Sequence, residues 1–417
     1  MALRSPLNRG IRDRLKNVRK SKAMTVAELA RLAGITAGAI HLIESGKSIP
    51  GVDTVERIAR ALGVDPRWFA FGYGDEFPMF QQVIAPGFAP VKLVEELTEV
   101  LRGRCGKIDD TYKYLDPNGS AAWCALLRQP EFIQLAKSVP IQELAEQLKP
   151  LVEEQSVDIL GLGAGTAIHE MNLLHALVPC VRDLRLLLFD VSQPLMAEAS
   201  SNVRAHLARS RCVPVIGILG NFHQLPSIAH QFDLQGPRRR IVTMFGNTFG
   251  NLENELRFVR DSLSWSSPSD ILVLDVMATL APANDPAAIK RCDPALTTRR
   301  TPEWFALQVD FLTGPMRRNT VGIDRIEVQP MLDLHSCAIP GSYAIEMQAQ
   351  AFAAGHQTKT FSVGYFKRYD VEGLKAGLRP DGWEYLTHIE YGVGVKMICI
   401  AFRRSATVNK QPRRKAK

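Results

Sequence analysis

Gly161, Gly163 and Gly165 recur at every second position in VDILGLGAGTAIHEMNLLHAL, between an apolar run and a helical repeat. Glycines placed in this way let a backbone approach a ligand closely at the carboxyl end of a strand. The next apolar run, LRLLLFDVS, carries Asp190 at its end, where an acidic side chain can accept both hydroxyls of a ribose. The separation of Gly165 from Asp190 suits a dinucleotide or S-adenosylmethionine alike. Three further apolar runs lead into polar loops: VPVIGILGNFHQL with Asn221 and Phe222, RRRIVTMFGNTFGNL with Gly246 to Asn251, and DILVLDVMATLAP with Asp275. An adenine edge is expected beside Asn221 and Phe222, and Gly246 is counted with them as lining the cofactor.

Buried strands alternating with helices over this length predict a doubly wound sheet, with its site at the strand carboxyl ends. The chain of 417 residues, 46% apolar and 23% charged, has room for two or three globular units. Residues 72–90, with Gly72, Gly74, Pro78, Pro86, Gly87 and Pro90, interrupt all periodicity and mark a boundary. Val91 to Leu101 then reads as an amphipathic helix.

Ahead of that boundary, residues 8–72 hold four short helical patterns separated by turn signals. Ile11, Leu15 and Val18 repeat at helical spacing, and Thr25 with Glu28 forms a capping box before Leu29, Ala30 and Leu32. Gly34 ends that helix. Thr36 caps the next, whose Ile40 and Ile43 face inward while Ala37, Gly38 and His41 lie on the other side. Gly46 stops it, and Pro50 and Asp53 open a fourth helix carrying Val55, Ile58, Ala59 and Leu62. Two helices joined by a tight glycine turn suit the major groove of DNA. Thr36, Ala37 and His41 are the expected base-facing positions, with Arg12, Arg19 and Lys47 holding phosphates.

The charge distribution agrees. Residues 1–72 hold 13 Lys/Arg against 6 Asp/Glu, and residues 403–417 hold 7 basic residues and no acid. The net charge of +8 therefore sits at the two ends, where a polyanion such as double-stranded DNA is the expected partner. The seven cysteines are dispersed, without CxxC pairs, and no His, Cys, Asp or Glu spacing suits a metal. No run of about 18 apolar residues is present and the first 22 residues lack a signal-peptide core, so a cytoplasmic protein without a membrane partner is expected.

MTVAELARLAGITAGAIHLIESGKSIPGVDTVERIARALGVDPRWF resembles the Xre/lambda-repressor family of helix-turn-helix proteins over its full length. That resemblance implies double-stranded DNA as partner and a homodimer on a twofold site. A second resemblance runs from about Tyr112 to Phe402. YKYLDPNGSAAWCALLRQPEF, LGLGAGT, LFDVS, MFGNTFGN and IEM are similar, in order, to segments of the histidine Nα-methyltransferase family of ergothioneine biosynthesis. It implies an S-adenosylmethionine-dependent transfer of a methyl group to the α-amine of an amino acid. Carried over, Gly161, Gly163 and Gly165 line the cofactor, Asp190 holds its ribose, Asn251 contacts the acceptor's carboxylate or amine, and Glu346 meets its side chain.

The chain departs from that family at Pro130-Glu131-Phe132-Ile133-Gln134-Leu135, where PEY, another Tyr and a Pro-Thr-Arg stretch are usual, at Asn221 for an aspartate, and at Ser362-Val363-Gly364-Tyr365 for a SYKY-like run. The methyl acceptor is thereby left open. So is the choice between a working N-methyltransferase of amino acids or small amines and a domain that only senses S-adenosylmethionine or an amino acid. The expected architecture is multidomain: an all-α helix-turn-helix bundle (8–72), a linker and helix (73–110), an α/β Rossmann-like class I methyltransferase domain with a smaller α+β substrate-side insertion (111–404), and a basic tail (405–417).

Overall fold

The computed structural model describes residues 6–71, 80–103, 105–207, 213–232, 234, 237–297, 301–319, 325–352, 358–392 and 394–406. Residues 72–79 of the expected linker and 407–417 of the expected tail lie outside them.

Five helices make the first unit: α1 (Pro6–Ser21), α2 (Val26–Ala33), α3 (Ala37–Glu44), α4 (Val52–Leu62) and α5 (Pro66–Phe71). The local signals act as their chemistry requires. Thr25 and Glu28 close a reciprocal capping box on α2, Gly34 ends that helix in the left-handed conformation, and Thr36 caps α3 through Ala39 N–H. Ile11, Leu15, Leu29, Ile40, Ile43, Ile58 and Leu62 are buried together, and α5 adds Phe69 to them. That fifth helix goes beyond the four that periodicity shows.

The second unit contains two sheets. Its strands are β1 (Phe80–Ile84), β2 (Cys105–Lys107), β3 (Ser156–Leu162), β4 (Asp183–Asp190), β5 (Val215–Leu219), β6 (Arg239–Met244), β7 (Ile271–Met277), β8 (Arg325–Asp333), β9 (Tyr343–Phe352), β10 (Lys359–Arg368), β11 (Trp383–Tyr391) and β12 (Met397–Arg404). The large sheet has the order β1-β5-β4-β3-β6-β7-β12-β11. Its strands from β1 to β7 run parallel, and β12 and β11 pair antiparallel at one edge. Strands buried on both faces need helices on both sides, and two apolar cores flank the sheet accordingly. The order reverses at β3, so the loop after β3 opens at the switch point.

The linker is more than a tether: β1 pairs with β5 and closes the parallel edge of the sheet. The helices that follow are α6 (Pro90–Arg102), α7 (Asp110–Leu115), α8 (Pro117–Leu127), α9 (Pro130–Ser138), α10 (Ile141–Val152), α11 (Ile168–Leu177) and α12 (Gln193–Leu207). The small sheet, in the order β2-β10-β9-β8, joins α6 to α8 and the helix Pro302–Asn319 around a third core. This is the α+β addition expected on the substrate side. Among the described residues no single helix is long and apolar enough to cross a membrane.

Candidate functional site

The turn after β3 is built by two left-handed glycines. Gly163 has φ +66° and Gly165 φ +53°, values that favour residues without a Cβ. At Gly163 a Cβ would lie 2.7 Å from the Thr248 side chain, so the turn Thr248–Asn251 closes directly over it. At Gly165 nothing stands within 4 Å of the Cβ position, so that side is open. Gly161 serves differently: its missing side chain is filled by Glu170 of α11, 2.9 Å from the Cβ position.

Asp190 ends β4 beside this opening. Its Oδ2 accepts the Gly165 N–H at 2.9 Å and its Oδ1 accepts the Ser192 N–H at 2.8 Å. Burial raises its carboxyl above the usual range, and those backbone donors oppose the rise. Each oxygen keeps acceptor capacity beyond one donor, as holding a diol requires.

Asn221 and Phe222 stand at the end of the neighbouring β5. Asn221 Oδ1 accepts the His223 N–H at 2.9 Å and so caps the short turn Phe222–Gln224. Phe222 packs edge-on to Phe258 with ring centres 5.6 Å apart. On the other side of the switch point, Gly246 donates its N–H to Asp275 Oδ2 at 2.8 Å. Asn247 next to it holds φ +61°, and its Oδ1 accepts the Met277 N–H at 3.2 Å. Burial lifts Asp275 to about 6, against the hydrogen bonds of Tyr391 and Gly246.

Asn251 closes the turn that covers Gly163. The chain just after it is anchored by Lys367 of β10, whose Nζ donates to Leu252 O at 2.6 Å and to Glu253 O at 3.2 Å. Glu346 lies on β9 opposite Tyr365 of β10, half-buried, and its Oε2 accepts from Gln348 Nε2 at 2.8 Å. Asn251 thus lies in the turn over Gly163, and Glu346 lies within the small sheet.

Sequence reasoning missed several groups here. Lys113 and Asp110 form a shielded ion pair on α7, and Tyr114 beside them is raised by burial and by the charges of both Asp110 and Asp190. Tyr114 thus brings α7 within electrostatic reach of Asp190. Glu170, beneath Gly161, is only 2% exposed, and burial pushes its carboxyl up to about 8. The Tyr112-Lys113-Tyr114 run in YKYLDPNGS was the available signal.

In the first unit, α3 presents Ala37, Gly38, His41 and Leu42 to solvent, with Thr36 at its start. Lys47 is exposed just beyond its end. Arg19 is engaged instead with Glu44, at 2.6 and 3.1 Å, and with Met24 O, so it ties α1 to α3 rather than pointing outward. Arg12 is paired with its own neighbour Asp13 at 3.0 Å.

The switch-point cleft, the acid ending β4 and the antiparallel β12 define the second unit as a Rossmann-like class I methyltransferase fold. Residues 93–276 match the family model described as histidine-specific methyltransferase, SAM-dependent, and residues 15–69 match that of helix-turn-helix domains. The chain is a fusion of these two domains. Its methyltransferase domain takes S-adenosyl-L-methionine as cofactor, and the open side of Gly165 beside the buried acceptor Asp190 fits that ligand.

Solved structures of similar fold include an S-adenosylmethionine-dependent methyltransferase of Clostridium acetobutylicum, 11% identical, covering 69% of this chain and 99% of that one with a TM-score of 0.37. Magnesium protoporphyrin IX methyltransferase of Synechocystis is 12% identical over 70% of this chain and 96% of that one, with a TM-score of 0.36. The 1,6-didemethyltoxoflavin-N1-methyltransferase of Burkholderia thailandensis is 10% identical over 78% and 93%, with a TM-score of 0.35. No curated relative matches the chain.

Proposed function

We propose that the protein is a DNA-binding transcription regulator whose second domain N-methylates an amino acid or a related small amine. The observation that carries the enzymatic half is the Asp190 carboxylate receiving the Gly165 N–H beside an open turn at the switch point.

In this reading Asp190 holds the ribose hydroxyls, Asn221 and Phe222 border the adenine, and Gly163, Gly165 and Gly246 supply backbone near the cofactor. The bound cofactor supplies a methyl group on a positively charged sulfur. The chain's own task is to hold a neutral amine in line with that methyl and to keep water away, and orientation of this kind accounts for much of the rate. Asn251, at the end of the turn over Gly163, faces the acceptor's carboxylate or amine. Glu346 is assigned to the acceptor's side chain across the small sheet.

The helix-turn-helix domain brings a mostly apolar reading surface, so contacts to thymine methyl groups by Ala37 and polar contacts by Thr36 and His41 would carry base selection. Lys47 and Arg12 supply phosphate attraction. A twofold pair would set two copies of α3 one helical turn apart on DNA.

Incubating the full chain with methyl-labelled S-adenosylmethionine and mixed amino acids and small amines should place label on one of them. Cofactor binding without any transfer, together with a DNA affinity that changes on cofactor addition, would replace the enzyme by a sensor.

A further inference from the structure

Lys113 and Asp110 face each other on α7, Nζ to Oδ1 at 2.7 Å. Lys113 is only 3% exposed, and its ammonium lies 5.4 Å above the Phe311 ring. It occupies the space left by Gly364 of β10, where a Cβ would stand 2.7 Å from Nζ. A larger residue at 364 would have to displace this charge.

The second oxygen of Asp110 is the unusual feature. Among the described residues Oδ2 is sealed from solvent and has no hydrogen-bond partner. A buried carboxylate oxygen without a donor is rare in native proteins, because its lost hydration has nothing to replace it. Ion pairing on Oδ1 does not remedy this. An N–H or O–H beyond the described residues would satisfy the free oxygen.

Its location supplies the context. Tyr114, one residue beyond Lys113, is within electrostatic reach of both Asp110 and Asp190. Ser120 Oγ donates to Tyr114 O at 2.5 Å and lies 3.4 Å from Ser192 Oγ in the loop after Asp190. Three hydrogen bonds thus run from Tyr114 O through Ser120 and Ser192 to Asp190, and Lys113 packs against Gly364 of the small sheet.

We propose that Asp110 and Lys113 together bind the charged head of an α-amino acid, its amino group on Asp110 Oδ2 and its carboxylate on Lys113 Nζ, with the ammonium's proton passing to Asp110 before transfer so that a neutral amine meets the methyl. The inference rests on the methyltransferase reading and deepens it by naming the groups that select the acceptor. A lysine ammonium has three donors, of which Oδ1 takes one. A buried acid beside a buried base matches a ligand whose own opposite charges are a few bonds apart. A simple amine or a simple acid would leave one member of the pair unmatched.

The test is calorimetric titration of the full chain, saturated with S-adenosylhomocysteine so that no turnover occurs, with each proteinogenic amino acid and its decarboxylated and deaminated analogues. At least one amino acid should bind, and each of its two analogues should bind at least about tenfold more weakly, as the loss of a charged hydrogen bond implies. The double variant Asp110→Asn with Lys113→Met avoids stranding one buried charge. It should keep its affinity for S-adenosylhomocysteine and lose the discrimination.

Binding of S-adenosylhomocysteine with no amino acid bound would overturn the inference and leave the cofactor site standing. So would amino-acid binding that survives the double variant but is lost in Glu346→Gln. Failure of the wild type to bind S-adenosylhomocysteine at all would overturn the methyltransferase reading itself, and this inference with it.

Discussion

An alanine at Glu255 should lower the stability of the methyltransferase domain by about 3–5 kcal/mol, the usual cost of stranding a buried charge. Glu255 and Lys367 are both fully buried, with Nζ 3.0 Å from Oε2. Tyr369 donates its hydroxyl to Glu255 Oε1 at 2.9 Å, and Cys337 Sγ lies 3.3 Å from the same oxygen. Removing the carboxylate leaves the Lys367 ammonium without its counter-ion and the Tyr369 hydroxyl without its closest acceptor. Because Lys367 also grips Leu252 O and Glu253 O, the turn ending at Asn251 should loosen with it.

A thermal melt should show the effect as a fall on the order of 10 °C. Glu253→Ala is the control: its side chain is 76% exposed and pairs with Lys107 at 3.4 Å, so its loss should cost about 0–1 kcal/mol. Equal melting of Glu255→Ala and wild type would show that the cluster contributes nothing.

Glutamine at Glu170 should act in the opposite direction and change the pH dependence. Burial pushes this carboxyl up to about 8 in the folded protein from an ordinary value of 4.5. A raised pKa means the folded state holds the proton more tightly. The stability this contributes is complete below about pH 4.5 and is lost as pH rises toward 8, where a charged carboxylate must be carried in the core. The Gln variant keeps the shape without the proton equilibrium. It should be more stable than wild type at pH 8 by on the order of 3–5 kcal/mol and nearly equal at pH 4.5. Asp275, raised to about 6, leaves a smaller slope of the same sign in both proteins. A wild-type stability that climbs between pH 5 and 8 would contradict this.

The parts of the fold that sequence reveals are those whose cause is local. Thr25 and Glu28 cap α2 because they are three residues apart, Gly34 ends it because only its backbone conformation matters, and the apolar runs at β3 and β4 are long enough to identify themselves. Gly163, Gly165 and Asp190 were legible for the same reason: a turn that must approach a ligand needs glycine, and the acid ends a strand. The strand β1 was hidden, since FQQVI has only weak alternation and its partner β5 is far along the chain. The small sheet was expected only as an α+β addition, and its pairing was hidden, because β2 joins β10 only after strands β3 to β7 of the large sheet have intervened.

Charged residues were the least legible. Arg19 reads as one more basic residue until the fold brings Glu44, 25 positions away, against it. Lys113, Glu170, Glu255 and Lys367 resemble surface charges in the sequence, and only burial gives them a role. In the proposed reading the acceptor side depends on such residues, which is why the cofactor could be read from the sequence and the acceptor could not.

Calorimetric titration of the full chain with S-adenosylmethionine, repeated for Asp190→Ala, tests the central claim most directly. Wild type should bind one equivalent. The variant, still folded by its melting transition, should bind at least about 100-fold more weakly, because two ribose hydroxyls lose a charged acceptor. No binding to the wild type, or equal binding to both proteins, would contradict the cofactor site described here.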